Sequence, residues 1–147
     1  MRIKQLLVGM TATVIAISSY VEIAVADLKF PMLVYRTGAY APNGIPNADG
    51  FVDYYKMINA RDGGIGGEKI VHPECETGYK TQVGVECYEK NKKDAMVFQP
   101  MSTGITYQLI PKATADGVTV YSTGYGRTSA ANGKVFKWVF NAPVTYW

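Results

Sequence analysis

The sequence predicts an α/β fold, a doubly wound, mostly parallel sheet flanked by helices. Three observations carry that prediction. Short apolar runs alternate with longer stretches in which apolar residues return every three to four positions, the periods of buried strands and amphipathic helices. Gly, Pro and Asn cluster at the junctions between them. Strand, helix, strand at this spacing favours parallel crossovers, which place helices on both faces of one sheet.

The first 26 residues stand apart from this alternation. Arg2 and Lys4 form a short positive region, Leu6 to Ile17 run almost wholly apolar, and Ala24-Val25-Ala26 supply small residues at a cleavage position. These are the three parts of a secretory signal in order, so residues 1–26 read as a signal peptide. A spanning helix needs roughly 20 apolar residues, and this core offers about a dozen before Ser18 and Ser19. No cysteine follows the expected cut, so a lipid anchor is not expected. The passenger is read as extracytoplasmic, with no stable membrane insertion after cleavage.

The mature chain then yields its elements in order. Phe30-Pro31-Met32-Leu33-Val34-Tyr35 reads as a buried strand, and Arg36 to Asn47 as a long Gly/Pro/Asn loop. Phe51, Val52, Tyr55, Ile58 and Asn59 place an amphipathic helix over Ala48–Ala60, with Asn47 or Asp49 as cap. Arg61 to Gly67 make a turn, Lys69–His72 a second strand and Pro73–Gly78 a loop. Tyr79–Lys92 reads as a helix, Ala95–Phe98 as a third strand and Pro100–Gly104 as a loop. Ile105–Ala115 follows as a helix and Val118–Tyr121 as a fourth strand. A glycine-bearing loop through Gly124 and Gly126 leads to a fifth apolar run, Phe136–Phe140.

Charge and cysteine content narrow the function classes. The chain carries 15 basic and 12 acidic residues. Without Arg2, Lys4 and Glu22 there remain 13 basic and 11 acidic residues, a net charge of +2. That balance, with no basic stripe denser than Lys90, Lys92 and Lys93, gives no sign of a nucleic-acid partner. Export makes a bond between Cys75 and Cys87 chemically possible. Cys87 falls about two turns into the helix that runs back alongside the second strand, roughly 10 Å from Cys75 along its axis, so a local disulfide is not expected.

Open parallel sheets bind ligands beyond the carboxyl ends of their strands. Three loops fall there: Tyr35–Asn47, Pro100–Thr106 and Ser122–Ser129. Ser102-Thr103-Gly104-Ile105-Thr106 sits where strand gives way to helix, and its free N–H groups and hydroxyls suit a carboxylate or other anion. The same pattern serves equally as a helix cap without a ligand. In the third loop Tyr125 could pack on an apolar ligand group while Thr128 hydrogen bonds, and Tyr40 could do the same from the first. With 11 tyrosines in the chain, ordinary surface packing is the bland account of each.

Enzyme signatures are absent from the sequence. No G-x-G-x-x-G, Walker A, G-x-S-x-G or H-E-x-x-H occurs. The single histidine, His72, lies beside Pro73 in a strand, where a nucleophile–base pair is hard to build. One histidine and two separated cysteines suggest no metal site. No catalytic residue, metal or cofactor is therefore expected.

Two segments give a sharper likeness: Tyr35-Arg36-Thr37-Gly38-Ala39-Tyr40-Ala41-Pro42-Asn43-Gly44, and Ile58-Asn59-Ala60-Arg61-Asp62-Gly63-Gly64-Ile65-Gly66-Gly67-Glu68-Lys69-Ile70. They resemble the opening of type I periplasmic substrate-binding proteins of ABC importers, in the branched-chain amino acid (leucine-binding-like) group. Cys75 to Tyr79, the Ser102–Thr106 loop and Phe140-Asn141-Ala142-Pro143 continue the match. The resemblance implies a two-lobed protein that closes on a small ligand and hands it to permease subunits. It implies that Thr103, Gly104, Tyr125 and Thr128, with Ser102 and Tyr40, contact that ligand: an amino acid, an amide or a urea-like solute. Relatives commonly carry a cysteine at the Ser102 position that pairs with the one matching Cys75; here it is missing. Such proteins run to roughly 350–400 residues, beyond the span of one domain. Residues 27–147 are therefore expected to be the N-terminal lobe, with a second lobe absent. A receptor's extracellular sensing domain and a small exported α/β enzyme are the alternative readings.

Overall fold

The computed structural model describes residues 27–123, 125–143 and 145–146. The signal-peptide expectation for 1–26, and Gly124, lie outside the described residues. The elements are β1 (Leu28–Lys29), β2 (Met32–Val34), α1 (Ala41–Arg61), β3 (Ile70–Val71) and β4 (Glu74–Glu76). They continue with α2 (Thr81–Asn91), β5 (Val97–Phe98), α3 (Thr103–Asp116), β6 (Thr119–Thr123), a 3-10 helix (Thr128–Ala131) and β7 (Val139–Ala142).

Two strands of the sheet are each interrupted at a proline. Pro31 separates β1 from β2, and Pro73 separates β3 from β4, because proline has no N–H to give a ladder. The pairing continues across both breaks: β1 runs parallel to β3, with Leu28 opposite Ile70, and β2 parallel to β4, with Leu33 opposite Cys75. The Met32 N–H donates to Pro73 O at 3.0 Å, and the Gln99 N–H to Pro31 O at 3.2 Å. Parallel bridges from Lys29 to Ala95 and from Met32 to Gln99 join this pair to β5. β5, β6 and β7 complete a parallel sheet. Counting each split strand once, the order is 2-1-3-4-5, with a switch point where strand 1 meets strand 3. The doubly wound expectation holds.

The alternation of the strands sorts the core. Leu33, Phe98 and Val120 point to one face, where Ile105, Leu109 and Ala113 of α3 and Tyr88 of α2 cover them. Met32 and Val34 point to the other, under Ala48 and Tyr55 of α1. Gly84 lets α2 approach α3, since a Cβ there would run into Ile105.

Four expectations needed correction. Helix α1 begins at Ala41, seven residues before the expected start, so the loop read over Arg36–Asn47 is largely helical. Pro42 falls in the first turn, where a missing N–H costs nothing, and Gly44 sits flat on the Tyr35 carbonyl and ring. The loop read over Pro73–Gly78 contains β4, and the fifth strand starts at Val139 instead of Phe136. Phe136 packs beside Ile110, Ala130 and Val139.

The fourth correction concerns the cysteines. Cys75 and Cys87 are bonded, with α-carbons 5.9 Å apart. The expectation set the start of the helix level with the strand end. The chain first advances through Thr77–Lys80, and α2 then runs back beside β4, so the two displacements cancel and Cys87 returns level with Cys75.

Candidate functional site

The site region is the carboxyl edge of the sheet at its switch point. Ser102 ends the strand 3 segment in extended backbone and caps α3, accepting the Ile105 N–H at 3.5 Å. It is fully buried. The N–H groups of Thr103 and Gly104, in the first helical turn, have no intrahelical acceptor. Thr103 Oγ1 and the Tyr146 hydroxyl hydrogen bond to each other. Gly104 lies against the Thr81 hydroxyl of α2, leaving no room there for a side chain. The residues before the helix are constrained: Met101 holds φ at 42°, in the left-handed region that disfavours a side chain.

Tyrosines gather beside this helix start, each delivered by a different element. Tyr35 ends strand 1, Tyr40 precedes α1, Tyr79 precedes α2, Tyr125 follows β6 and Tyr146 follows β7. The Tyr79 side chain hydrogen bonds to Ser102. Its ring meets Tyr35 edge-on at 4.8 Å between centroids and lies tilted against Tyr40 at 4.6 Å. The Tyr35 and Tyr125 hydroxyls are 2.7 Å apart, and Asn47 donates to the Tyr125 oxygen at 3.5 Å. Burial, then the Tyr35 hydrogen bond, pushes the Tyr125 hydroxyl above its ordinary pKa, so it works as a neutral group. Tyr79 holds φ at 64°, after Gly78 at 55°. An aromatic residue fixed in that region is over-determined by its surroundings.

Two ionic groups near this edge, Arg36 and Glu76, are engaged within the protein. Arg36 donates to Asp49 at 2.7 Å and to Glu74 at 2.6 and 2.8 Å, and these bonds raise its pKa. Glu76 accepts the Arg36 N–H at 2.8 Å, the Thr37 hydroxyl at 3.0 Å and the Gly78 N–H at 2.7 Å. Partial burial pushes the Glu76 carboxyl up, but the Gly78 and Arg36 amides and Thr37 outweigh it and hold it below the usual range.

Of the residues singled out from sequence, Ser102, Thr103 and Gly104 share the start of α3, and Tyr40 and Tyr125 join them through Tyr79 and Tyr35. Thr128 lies at the start of the 3-10 helix, and its buried hydroxyl has no hydrogen-bond partner among the described residues. Tyr35, Tyr79 and Tyr146 were missed. Their signal was the tyrosine content itself, discounted as surface packing. His72 packs its ring on Tyr55, 5.6 Å between centroids. Among the described residues no group of three His, Cys, Asp or Glu side chains could hold a metal, and no helix is long and apolar enough to cross a membrane.

The family profile described as periplasmic binding protein matches residues 27–147. Among solved structures, the chain is 39% identical to a protein described as an ABC transporter permease from the Pseudomonas fluorescens group, with a TM-score of 0.76 over 82% of this chain and 30% of that one. A branched-chain amino acid transporter substrate-binding protein from Streptococcus pneumoniae, in complex with isoleucine, is 21% identical, with a TM-score of 0.67 over 81% of this chain and 34% of that one. A solute-binding protein from Rhodopseudomonas palustris, in complex with benzoate, is 20% identical, with a TM-score of 0.63 over 78% and 32%. At those lower identities the likeness shows the fold alone. No curated protein matches. The chain thus spans about a third of the length of these solved structures.

Proposed function

Because the chain belongs to the periplasmic binding protein family, we propose that it is the extracytoplasmic solute-binding component of an ABC importer. In this reading residues 27–147 form the first of two lobes, which close on a small amino-acid-like ligand and present it to permease subunits in the periplasm. Binding, not catalysis, is the activity.

The observation that carries the reading is the start of α3 at the switch point. Two N–H groups without intrahelical acceptors, beside the Thr103 hydroxyl, suit a carboxylate, and the helix dipole favours its charge. Tyr79 and Tyr125 flank that position, linked to each other through Tyr35. Closure of a second lobe would exclude water and strengthen each of these polar contacts.

A titration of isotope-labelled residues 27–147 with small carboxylates, amides and urea, followed by NMR, tests the reading. Carboxylates are expected to shift the Thr103 and Gly104 amides with affinities around the millimolar range, because one lobe leaves half the ligand solvated. Absence of any shift at about 50 mM carboxylate, some fifty times a millimolar Kd, overturns the anion site. Micromolar or tighter binding by these residues alone, measured by calorimetry, overturns the two-lobe reading.

A further inference from the structure

We propose that the group attached to the ligand's carboxylate is a planar aromatic ring, so that this protein takes short aryl carboxylates in preference to aliphatic amino acids. The inference rests on the carboxylate site at the start of α3 and adds the chemistry of its neighbour.

Five tyrosines from four stretches of the chain meet at this one edge. Their hydroxyls are largely committed to the protein: Tyr35 to Tyr125, Tyr79 to Ser102, and Tyr146 to Thr103. Hydroxyls so engaged leave ring faces, not hydrogen-bonding groups, as what the cluster offers a ligand. Tyr40 is 55% exposed while its ring touches Tyr79, so the pair keeps an open face. Arg36, the charged residue that follows Tyr35, is bound by Asp49 and Glu74 and brings no free cation to the edge. Flat rings pack on such faces in offset or edge-to-face geometry with a gain beyond their buried area. An aliphatic side chain of equal size gains only the area.

Length follows from contiguity. Ser102, which caps the helix, is in direct contact with Tyr79, and the Tyr79 ring lies tilted against Tyr40 at 4.6 Å between centroids. A ligand spanning the two subsites carries its ring within two or three bonds of its carboxylate, as in benzoate and phenylacetate.

NMR titration of labelled residues 27–147 with benzoate, phenylacetate, cyclohexanecarboxylate, isoleucine and tetramethylammonium tests this. The aryl acids are expected to bind about tenfold tighter than cyclohexanecarboxylate or isoleucine, the size of a strong aromatic contact. They should move the Tyr40 and Tyr79 amides together with those of Thr103 and Gly104. Tyr40→Leu should abolish the aryl preference, and Tyr40→Phe should keep it. Equal affinity for cyclohexanecarboxylate and benzoate overturns the aromatic inference while leaving the carboxylate site standing. Tetramethylammonium shifting the tyrosine amides in place of the aryl acids also overturns it, in favour of a cation cage. Failure of every carboxylate to shift Thr103 and Gly104 removes the functional reading itself.

Discussion

The two faces of the sheet are held by different chemistry. On the α2/α3 face, Leu33, Phe98, Ile105, Leu109 and Val120 are all fully buried, and the Cys75–Cys87 bond ties strand to helix. On the α1 face the helix covers Met32 and Val34 but leaves β5 and β6 open. A cavity of about 450 Å³ lies there, walled by Phe30, Phe51, Tyr55, Val97, Thr119 and Tyr121. Its helix is tied by polar clips: Asn59 exchanges two 2.8 Å hydrogen bonds with the Ile70 backbone, and Arg36 bridges Asp49 and Glu74. Right-handed crossovers explain the asymmetry. One crossover leads away from the first strand and places α1 over strands 1 and 2, whereas the return crossovers all place their helices on the opposite face. The site edge lies where the two kinds of packing meet.

The largest effect should come from the closed face. Leu109→Ala removes a fully buried side chain and is expected to cost about 3 kcal/mol in denaturant unfolding, whereas Thr119→Ala on the open face should stay within about 0.5 kcal/mol. Equal losses would mean that the faces do not differ. Next comes the disulfide, whose cysteines lie 12 apart in sequence. Replacing both with serine should cost about 3 kcal/mol by the chain-entropy account, and wild-type protein under reductant should show the same loss. A change confined to the α1 face would reverse the assignment of that tie.

Asn59→Ala tests the polar clips. It strips two partners from the edge strand β3 and should cost about 1–2 kcal/mol, with exchange of the Ile70 amide speeding up in proportion. Unchanged Ile70 exchange would show that the clip is idle. The smallest effect concerns Glu76. Its carboxyl is held below its ordinary value in the fold, so its contribution is present above the unfolded-state value and is lost as pH falls through the folded one. The Gly78 amide should therefore titrate below the normal glutamate range, and Glu76→Gln should remove that transition; titration at or above the normal value contradicts the arrangement.

Much of this was legible beforehand because it is local. Apolar runs such as Met32–Val34 and Val97–Phe98, the glycine at the end of α3 (Gly117, φ 68°) and the Ser102 cap all carry their structure in a few neighbouring residues. Reading failed where local chemistry was ambiguous. Pro42, Gly44 and Pro46 have the composition of a loop, yet the first turn tolerates Pro42 and the Tyr35 backbone demands Gly44. The site divides in the same way. Ser102, Thr103 and Gly104 were visible as a strand-to-helix junction. Tyr79 was hidden, because it was read as the first turn of a helix and discounted as one of many tyrosines.

The sequence by itself determined the alternation of strands and helices, the parallel sheet it dictates, and the strand-to-helix junction whose first N–H groups have no intrahelical acceptor. Periodicity and capping act over one or two turns, so they can be read from neighbours. Only the tertiary structure decided the cysteine pairing and the meeting of Tyr35 and Tyr40 with Tyr79, Tyr125 and Tyr146. Both depend on how far a loop carries the chain before a helix brings it back. That cancellation of displacements brought Cys87 level with Cys75 and set Tyr79 between Tyr35 and Tyr40.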